Sequence, residues 1–427
     1  AGLALAALVF QAGIVFKVET PAGTVILEVD QPTAAGAVVS VDEEQKITLN
    51  AGKNQEPIQV TADAKTHTLK VTKGGFETFT RQFTVKSGQT ETIKVRLVPL
   101  AVAETAKSDP IMPFPMSARE IVEWILSVGG SVAVNSEHNN LTSIKDMPAE
   151  PVEYYGVDLC DAKFPPHDLQ RLANLKPLYA LRLSGDSVRE QDFQYLKFVN
   201  GVHDLNLEHF TFEGDGLKYL SGFQSLKAIR VYDSTIRGEG LSHLGQFLNL
   251  VTLDLVACSI DMSVMQQIGN RRQLNFLNLS NSQIDDAGLA HLSGLTKLKK
   301  FYAHLNPKIT DKGVKSLSGM QQLEVLTVGA TGITDAGLKQ LSRLEQLTLL
   351  EVYNTRITDA GLAHLTKLKH LNSLNLRLTP ITDAGLKHLS GLKQLKTLTL
   401  QETKVTPEGI ATLQKALPDC TIVSDFS

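Results

Sequence analysis

Apolar residues in the last two-thirds of the chain return in one fixed order. Between Leu371 and Leu395 they are Leu371, Leu374 and Leu376, then Ile381, then Leu386, Leu389 and Leu392. The first three, spaced LxxLxL, predict a strand with its leucines inward and Ser373, Asn375 and Arg377 outward. The last three, at i, i+3 and i+6, predict a short helix facing the same core. Between them lies Ile381-Thr-Asp-Ala-Gly-Leu386, where Thr382 is placed to cap the helix and Asp383 to favour its first turn. The same six residues start at Ile333 and Ile357, with looser copies at Ile284, Ile309 and Val405. Traced backwards, the lead position runs through Ile260, Ile236, Phe212, Val188 and Phe164. The spacing is 24 residues throughout, except for 25 from Ile284 to Ile309. A fixed period of this length predicts a solenoid of strand-helix units stacked on a continuous leucine core.

Two further positions refine that unit. Three residues after the last strand leucine stands a small side chain: Thr379, Thr355, Thr331, Thr403, Ser234, Ser282, Asn306 or Cys258. Such groups can bond to the backbone where the ladder ends. Gly385 and its copies stand in the helix, where glycine costs ~1 kcal/mol relative to alanine. Their recurrence predicts a close approach to the neighbouring coil that a β-carbon would block.

Upstream the pattern changes. Residues 1–12 are apolar and uncharged, and no charge occurs before Lys17. Sixteen helical residues would span roughly 24 Å, short of a ~30 Å hydrocarbon core. The stretch is read as the outer end of a transmembrane helix, ahead of a signal segment or a buried strand. Residues 13–98 have an all-β texture, and Thr66–Thr72 alternates at period two. A hairpin is expected at Val15–Glu19 and Thr24–Val29 around Pro21-Ala-Gly23, followed by strands at 66–72, 76–85 and 90–98 with turns at Lys73-Gly-Gly75 and Ser87-Gly88. A small all-β sandwich is expected. Residues 99–116 are Pro-rich and read as a linker. In 117–158, Ser117-Ala-Arg-Glu120 forms a capping box, Ile121, Trp124, Ile125 and Val128 follow at helical spacing, and Gly129-Gly130 ends the helix. This segment, with a strand at Ser131–Val134 one period before Val157, reads as an atypical first unit closing the end of the repeats at 159–427.

The motif LxxLxLxx[T/S/N]xITDAGLxxLxxL resembles leucine-rich repeats of the planctomycete bacterial type. The resemblance implies an α/β leucine-rich repeat solenoid, a right-handed β-α superhelix. Repeats associated with F-box proteins are similar around Thr-Asp-x-Gly-Leu, but no F-box-like helical module precedes the array. The run from His67 to Leu97 resembles the second half of a PEGA-type β-domain, with Gly75-Phe76 as its Gly-aromatic pair, although the namesake four-residue motif is absent. The order of parts resembles the extracytoplasmic half of membrane-anchored serine/threonine kinases. That resemblance implies a single-pass membrane protein, tethered by its amino-terminal segment, with β-domain and repeats outside the cytoplasm.

Composition narrows the chemistry. A hydrophobic content of 42% and a charged content of 20% describe a folded chain of 427 residues, long enough for a small domain and a repeat array. The net charge of −3 lacks the basic excess of a nucleic-acid surface. Cys160, Cys258 and Cys420 are far apart, with neither a disulfide framework nor zinc spacing. His243, His291, His364 and His388 recur at one helix position with no carboxylate or cysteine spacing to support a metal. No phosphate-cradling loop, His-Arg-Asp or Asp-Phe-Gly sequence occurs, so neither catalysis nor a cofactor is expected. What remains is the outward strand face. It is expected to be the concave side, and its candidate binding residues are Arg182, Arg230, Tyr232, Tyr302, His304, Glu351, Tyr353, Asn375 and Arg377. They combine aromatic area with polar tips, as binding hot spots do, over a length suited to a protein or an extended polymer. The expected function is a non-catalytic binding module. The alternatives are the docking region of a kinase whose catalytic domain precedes Ala1, and a surface scaffold or F-box-like adapter.

Overall fold

Strands make up all the described residues up to Val95, and strand alternates with helix beyond it. A computed structural model describes residues 14–20, 23–29, 38–41, 45–48, 58–59, 66–72, 79–84, 90–95, 116–134, 139–148 and 153–426. They fall into two compact units, 1–110 and 111–427.

In the first unit Ile14–Thr20 and Gly23–Val29 pair antiparallel, as the expected hairpin requires. Gly23–Val29 also pairs in parallel with Thr90–Val95, and Ile14–Thr20 with Ile58–Gln59, giving one four-stranded sheet. A second four-stranded sheet is wholly antiparallel, in the order Gln45–Thr48, Val38–Val41, Thr66–Thr72, Phe79–Thr84. Within Thr66–Thr72, Leu69 and Val71 are buried while Thr68, Lys70 and Thr72 are partly exposed, as period two demands. Of the strands expected at 76–85 and 90–98, the described parts are Phe79–Thr84 and Thr90–Val95. The turns at 73–75 and 87–88, the Gly75-Phe76 pair and linker residues 99–115 lie outside the described residues.

The expected single-pass membrane placement is corrected. No helix among the described residues is long and apolar enough to cross a membrane. Residues 1–12, on which that expectation rested, lie outside them, and the adjoining apolar residues from Ile14 are strand.

The second unit opens on helix Ala118–Ser127. Glu120 N–H donates to Ser117 Oγ and Ser117 N–H to Glu120 Oε2 (3.3 and 2.7 Å), so the capping box forms. Ile121, Val122 and Ile125 are fully buried, and Trp124 packs edge-on against Phe164 at 5.8 Å. The strand Ser131–Val134 departs from the expected repeat geometry. It pairs antiparallel with Tyr154–Asp158, and Asn139–Leu141 pairs antiparallel with it on the outer side. The helix ends in a tight turn at Gly129 (φ +92°) and Gly130, and the strand that follows runs opposite to the repeats. The array therefore ends in a hairpin, which blunts the open edge.

From Tyr154–Asp158 to Thr421–Val423 every sheet pairing is parallel, completing a sheet of fourteen strands. Leu181, Leu205, Ile229, Leu253, Leu277, Phe301, Leu326, Leu350, Leu374 and Leu398 stand in register, and nearly all are fully buried. The small ladder residues bond as expected. Thr331, Thr355, Thr379 and Thr403 each donate to a carbonyl three residues back at 2.5–2.7 Å. Asn306 sits three residues before Ile309, where the 25-residue interval ends. Its amide accepts from Ser282 N and Ile284 N and donates to Leu279 O and Ala303 O.

The helices differ along the array. Asp286–His291, Asp311–Val314, Asp335–Leu341, Asp359–Leu362, Asp383–Leu386 and Pro407–Ala416 are α-helical, whereas Glu190–Leu196, Gly216–Leu220 and Ser242–Gln246 are 3₁₀ turns. In Gly216–Leu220 and Ser242–Gln246 the cap positions are Asp215 and Leu241, neither of which makes a side-chain cap. Gly214, Gly216, Gly238 and Gly240 weaken the first turn there. The chain instead forms a second small sheet from Thr211–Phe212, Thr235–Ile236 and Ser259–Ile260, which the periodicity does not announce.

The α-helical repeats are joined by a device that begins at the motif aspartate. Each carboxylate reaches forward to the threonine of the next repeat. Asp335, for example, accepts the Thr358 N–H at 2.7 Å and the Thr358 hydroxyl at 2.6 Å. Asp286–Thr310, Asp311–Thr334, Asp359–Thr382 and Asp383–Thr406 repeat this geometry. A β-carbon at Gly361 would collide with Asp335 Oδ1, and one at Gly385 with Asp359 Oδ1. The motif glycine is therefore fixed by the clamp of the preceding repeat.

Candidate binding face

The alternation that buries the strand leucines sends the residues between them to the open side of the sheet. Strand register aligns these as one column: Asp158, Arg182, Asn206, Arg230, Asp254, Asn278, Tyr302, Thr327, Glu351, Asn375 and Thr399. At ~4.8 Å per strand the column extends roughly 50 Å. Beside it, Ser184, Glu208, Tyr232 and Val256 are in register, and the repeat continues them through Ser280, His304, Gly329, Tyr353, Arg377 and Gln401. The chain leaves this second column through a left-handed residue in repeat after repeat: His209, Asp233, Ala257, Asn281, Leu305, Ala330, Asn354, Leu378 and Glu402, with φ between +47° and +59°. All of these but Glu402, whose N–H goes to Asp425 Oδ2, still donate to a carbonyl of the next repeat, as Leu378 N–H does to Gln401 O at 3.0 Å, so the turn keeps its ladder bond.

The expected site residues separate into two groups. The arginines are engaged within the fold. Arg182 bonds Asp158 at 2.9 Å on one side and Glu208 on the other, and the Glu208 bond holds its guanidinium pKa above the ordinary range. Arg230 pairs with Asp204, and Arg377 with Glu402. These carboxylates were absent from the expected set. A signal for them existed, because a charge 24 to 26 residues from an arginine lies on the adjacent strand, as Asp158 and Glu208 do for Arg182. Around Arg182 the small side chains of Ala133 and Ala180, together with Gly156, leave a shallow cavity of about 150 Å³. A larger one, about 510 Å³, lies between the last two helices over Leu386 and Leu413, away from the sheet face.

The aromatic residues come together further along. Tyr302 packs on Phe276 with ring centroids 5.3 Å apart, and His304 lies 6.4 Å from Tyr353. Phe276 was missed by the sequence reading because it enters at the start of its strand, outside the two columns. Gly329, between His304 and Tyr353 in the second column, provides no side chain, and the Tyr353 ring lies over it; a β-carbon there would collide with the ring. His304 Nδ1 is 3.0 Å from Ser280 Oγ and 3.2 Å from Thr327 Oγ1, and burial lowers its pKa.

Two carboxylates on this face have no salt bridge. Asp254 is 9% exposed. Its Oδ2 accepts the Tyr232 hydroxyl at 3.2 Å, while its Oδ1 is buried with no hydrogen-bond partner. Burial pushes the Tyr232 phenol up to about 12, and neighbouring Asp254 adds to the shift. Burial also raises the Asp254 carboxyl, against the Tyr232 bond and the nearby Arg230 charge. Glu351 is half-buried, with no side-chain hydrogen bond or ion pair among the described residues, and burial raises its pKa. Burial raises the Tyr302 and Tyr353 phenols as well; the Glu351 charge adds to both, and Asp254 to Tyr302. Asn375 stands beside Glu351 in the column, half-buried, its Oδ1 accepting from Arg377 N–H at 3.1 Å.

Among the described residues no group of three or more His, Cys, Asp or Glu side chains is placed to hold a metal ion. The three cysteines are free, Cys258 and Cys420 buried and Cys160 half-buried.

Residues 33–101 match the model of the PEGA domain, and residues 367–390 that of a Leucine Rich repeat. No match was found among curated proteins. Solved structures with a similar fold include an internalin (inlF) from Listeria monocytogenes, 24% identical over 61% of this chain and 70% of that one, with a TM-score of 0.47. An internalin C2 (inlC2) from the same organism is 23% identical over 56% of this chain and 92% of that one, with a TM-score of 0.41. The protein of a TLR13–ssRNA13 complex is 20% identical over 59% of this chain but 36% of that one, with a TM-score of 0.46.

Proposed function

We propose that this chain, a leucine-rich repeat solenoid with a PEGA domain at its amino-terminal side, is a non-catalytic binding module that docks a protein on its open sheet face. The observation that carries the reading is the cluster of Phe276, Tyr302, His304 and Tyr353, half-exposed on a rigid parallel sheet whose arginines are already paired. Rigid aromatic side chains give large contact area at low entropic cost, and they dominate binding energy where they cluster. A photo-cross-linking residue placed at Tyr302 is expected to form protein adducts in cells of the source organism. The same residue at Ala287, exposed on the helix side, is expected to form none. Adducts at Ala287 alone would move the binding surface to the helices.

A second reading, a docking region belonging to a serine/threonine kinase, rests on the order of a PEGA domain followed by repeats. Reading the gene upstream of Ala1 decides it.

A further inference from the structure

The centre of the sheet face has carboxylates where its other charges have partners. Arg182, Arg230 and Arg377 are each matched by acids within the fold, whereas Asp254 and Glu351 have no ion-pair partner among the described residues. A half-buried carboxylate left without a counter-charge is unfavourable, since desolvation is not offset by attraction. Both stand in the same outward column, with Tyr302 between them in register. Tyr353 is on Glu351's own chain two residues on, its ring laid across Gly329. Aromatic faces beside a carboxylate form the environment that attracts an ammonium or guanidinium group, by ring quadrupole and by charge together.

Asp254 gives an independent indication. It is nine-tenths buried on the open face, and its Oδ1 lacks any hydrogen-bond partner. The Tyr232 hydroxyl that bonds the other oxygen belongs to a half-buried ring on the same face. The Arg230 guanidinium, whose own partner is Asp204, leaves the trio with one excess negative charge.

We propose that this part of the face recognises a basic segment of a partner protein, seating a lysine or arginine head group over Tyr302 and Tyr353 against Glu351, with Asp254 receiving a second. The inference rests on the reading of the sheet face as the docking surface and specifies the partner's chemistry. An anionic segment would meet two uncompensated carboxylates there, and the paired arginines would have to break existing bonds to receive it.

The test uses the full chain, titrated calorimetrically at low salt with octa-arginine, octa-lysine, octa-glutamate and spermine. One of the basic peptides is expected to bind with an affinity that falls as salt rises. Glu351→Gln and Asp254→Asn are each expected to weaken binding about tenfold. Asp186→Asn, which removes an exposed carboxylate on the turn after the Ala180–Ser184 strand, controls for general charge and is expected to change affinity less than twofold. Circular dichroism of each variant separates lost binding from lost folding. Octa-glutamate binding as tightly as the basic peptides, equal loss in Asp186→Asn, or no binding by either basic peptide would overturn the proposal. Spermine binding without a response to either peptide would also overturn it, replacing a protein partner by a small polycation. Adducts at Tyr302 whose attached segment is acidic or uncharged would leave the docking face standing and refute only its basic ligand.

Discussion

Glu351 shows how a single side chain on this face ties stability to pH. Its pKa is raised in the folded state, so between the ordinary glutamate value and the raised one the folded chain holds more protons than the unfolded chain. Stability therefore falls as pH rises through that window, and the penalty persists at neutral pH. Glu351→Gln is expected to raise the thermal midpoint at pH 7 and to leave it unchanged well below pH 4.5, where the wild-type side chain is also neutral in both states. An equal gain at both pH values would assign the effect to packing and not to charge. A substitution that stabilises the fold while weakening the cationic ligand would mark the position as maintained for binding. The sequence placed Glu351, Tyr302 and Tyr353 on the outward face by alternation alone. That Arg182, Arg230 and Arg377 were already paired was legible only as acids 24 to 26 residues away, since the pairing itself depends on side chains reaching across to the neighbouring repeat.

The element that holds the α-helical repeats together is the forward clamp. The sequence anticipated its threonine as a cap and its glycine as a close approach. It assigned the aspartate only to the helix start, since its partner lies 23 or 24 residues on. Removing the carboxylate in Asp335→Ala takes two charge-assisted bonds from Thr358 and is expected to destabilise the chain by about 2 kcal/mol. Gly361→Ala forces a methyl group into the Asp335 carboxylate and is expected to destabilise it by about 2 kcal/mol as well. In the double variant the obstructing oxygen is gone, so the combined loss is expected to fall well short of the sum, measured by denaturant midpoints. Strict additivity would show that the glycine is required by something other than the clamp. The 3₁₀ turns between Glu190 and Gln246 were not legible as such, because their apolar spacing is also that of an α-helix.

At the scale of the molecule, period and core were fully legible. A leucine pattern repeated every 24 residues leaves one stacking solution, and the parallel register confirms it strand by strand. The antiparallel hairpin at Ser131–Val134 was not, because a terminal unit has no neighbour whose pattern it must match. The clamps have a consequence for how such an array changes over generations. Each joint is made by residues common to several repeats, Asp to the following Thr, and none of the face residues takes part in it. Excising Asp335–Thr358 would join Thr334 to Asp359 and restore Ile-Thr-Asp-Ala-Gly-Leu across the seam, with Asp311 still holding Thr334 and Asp359 still holding Thr382. The shortened protein is expected to fold with a single thermal transition and to have lost Glu351 and Tyr353; loss of the folded circular-dichroism spectrum would refute this. If it folds, unequal recombination can add or delete whole words of this text without damaging its grammar, and the vocabulary on the sheet face is free to drift towards a new reader.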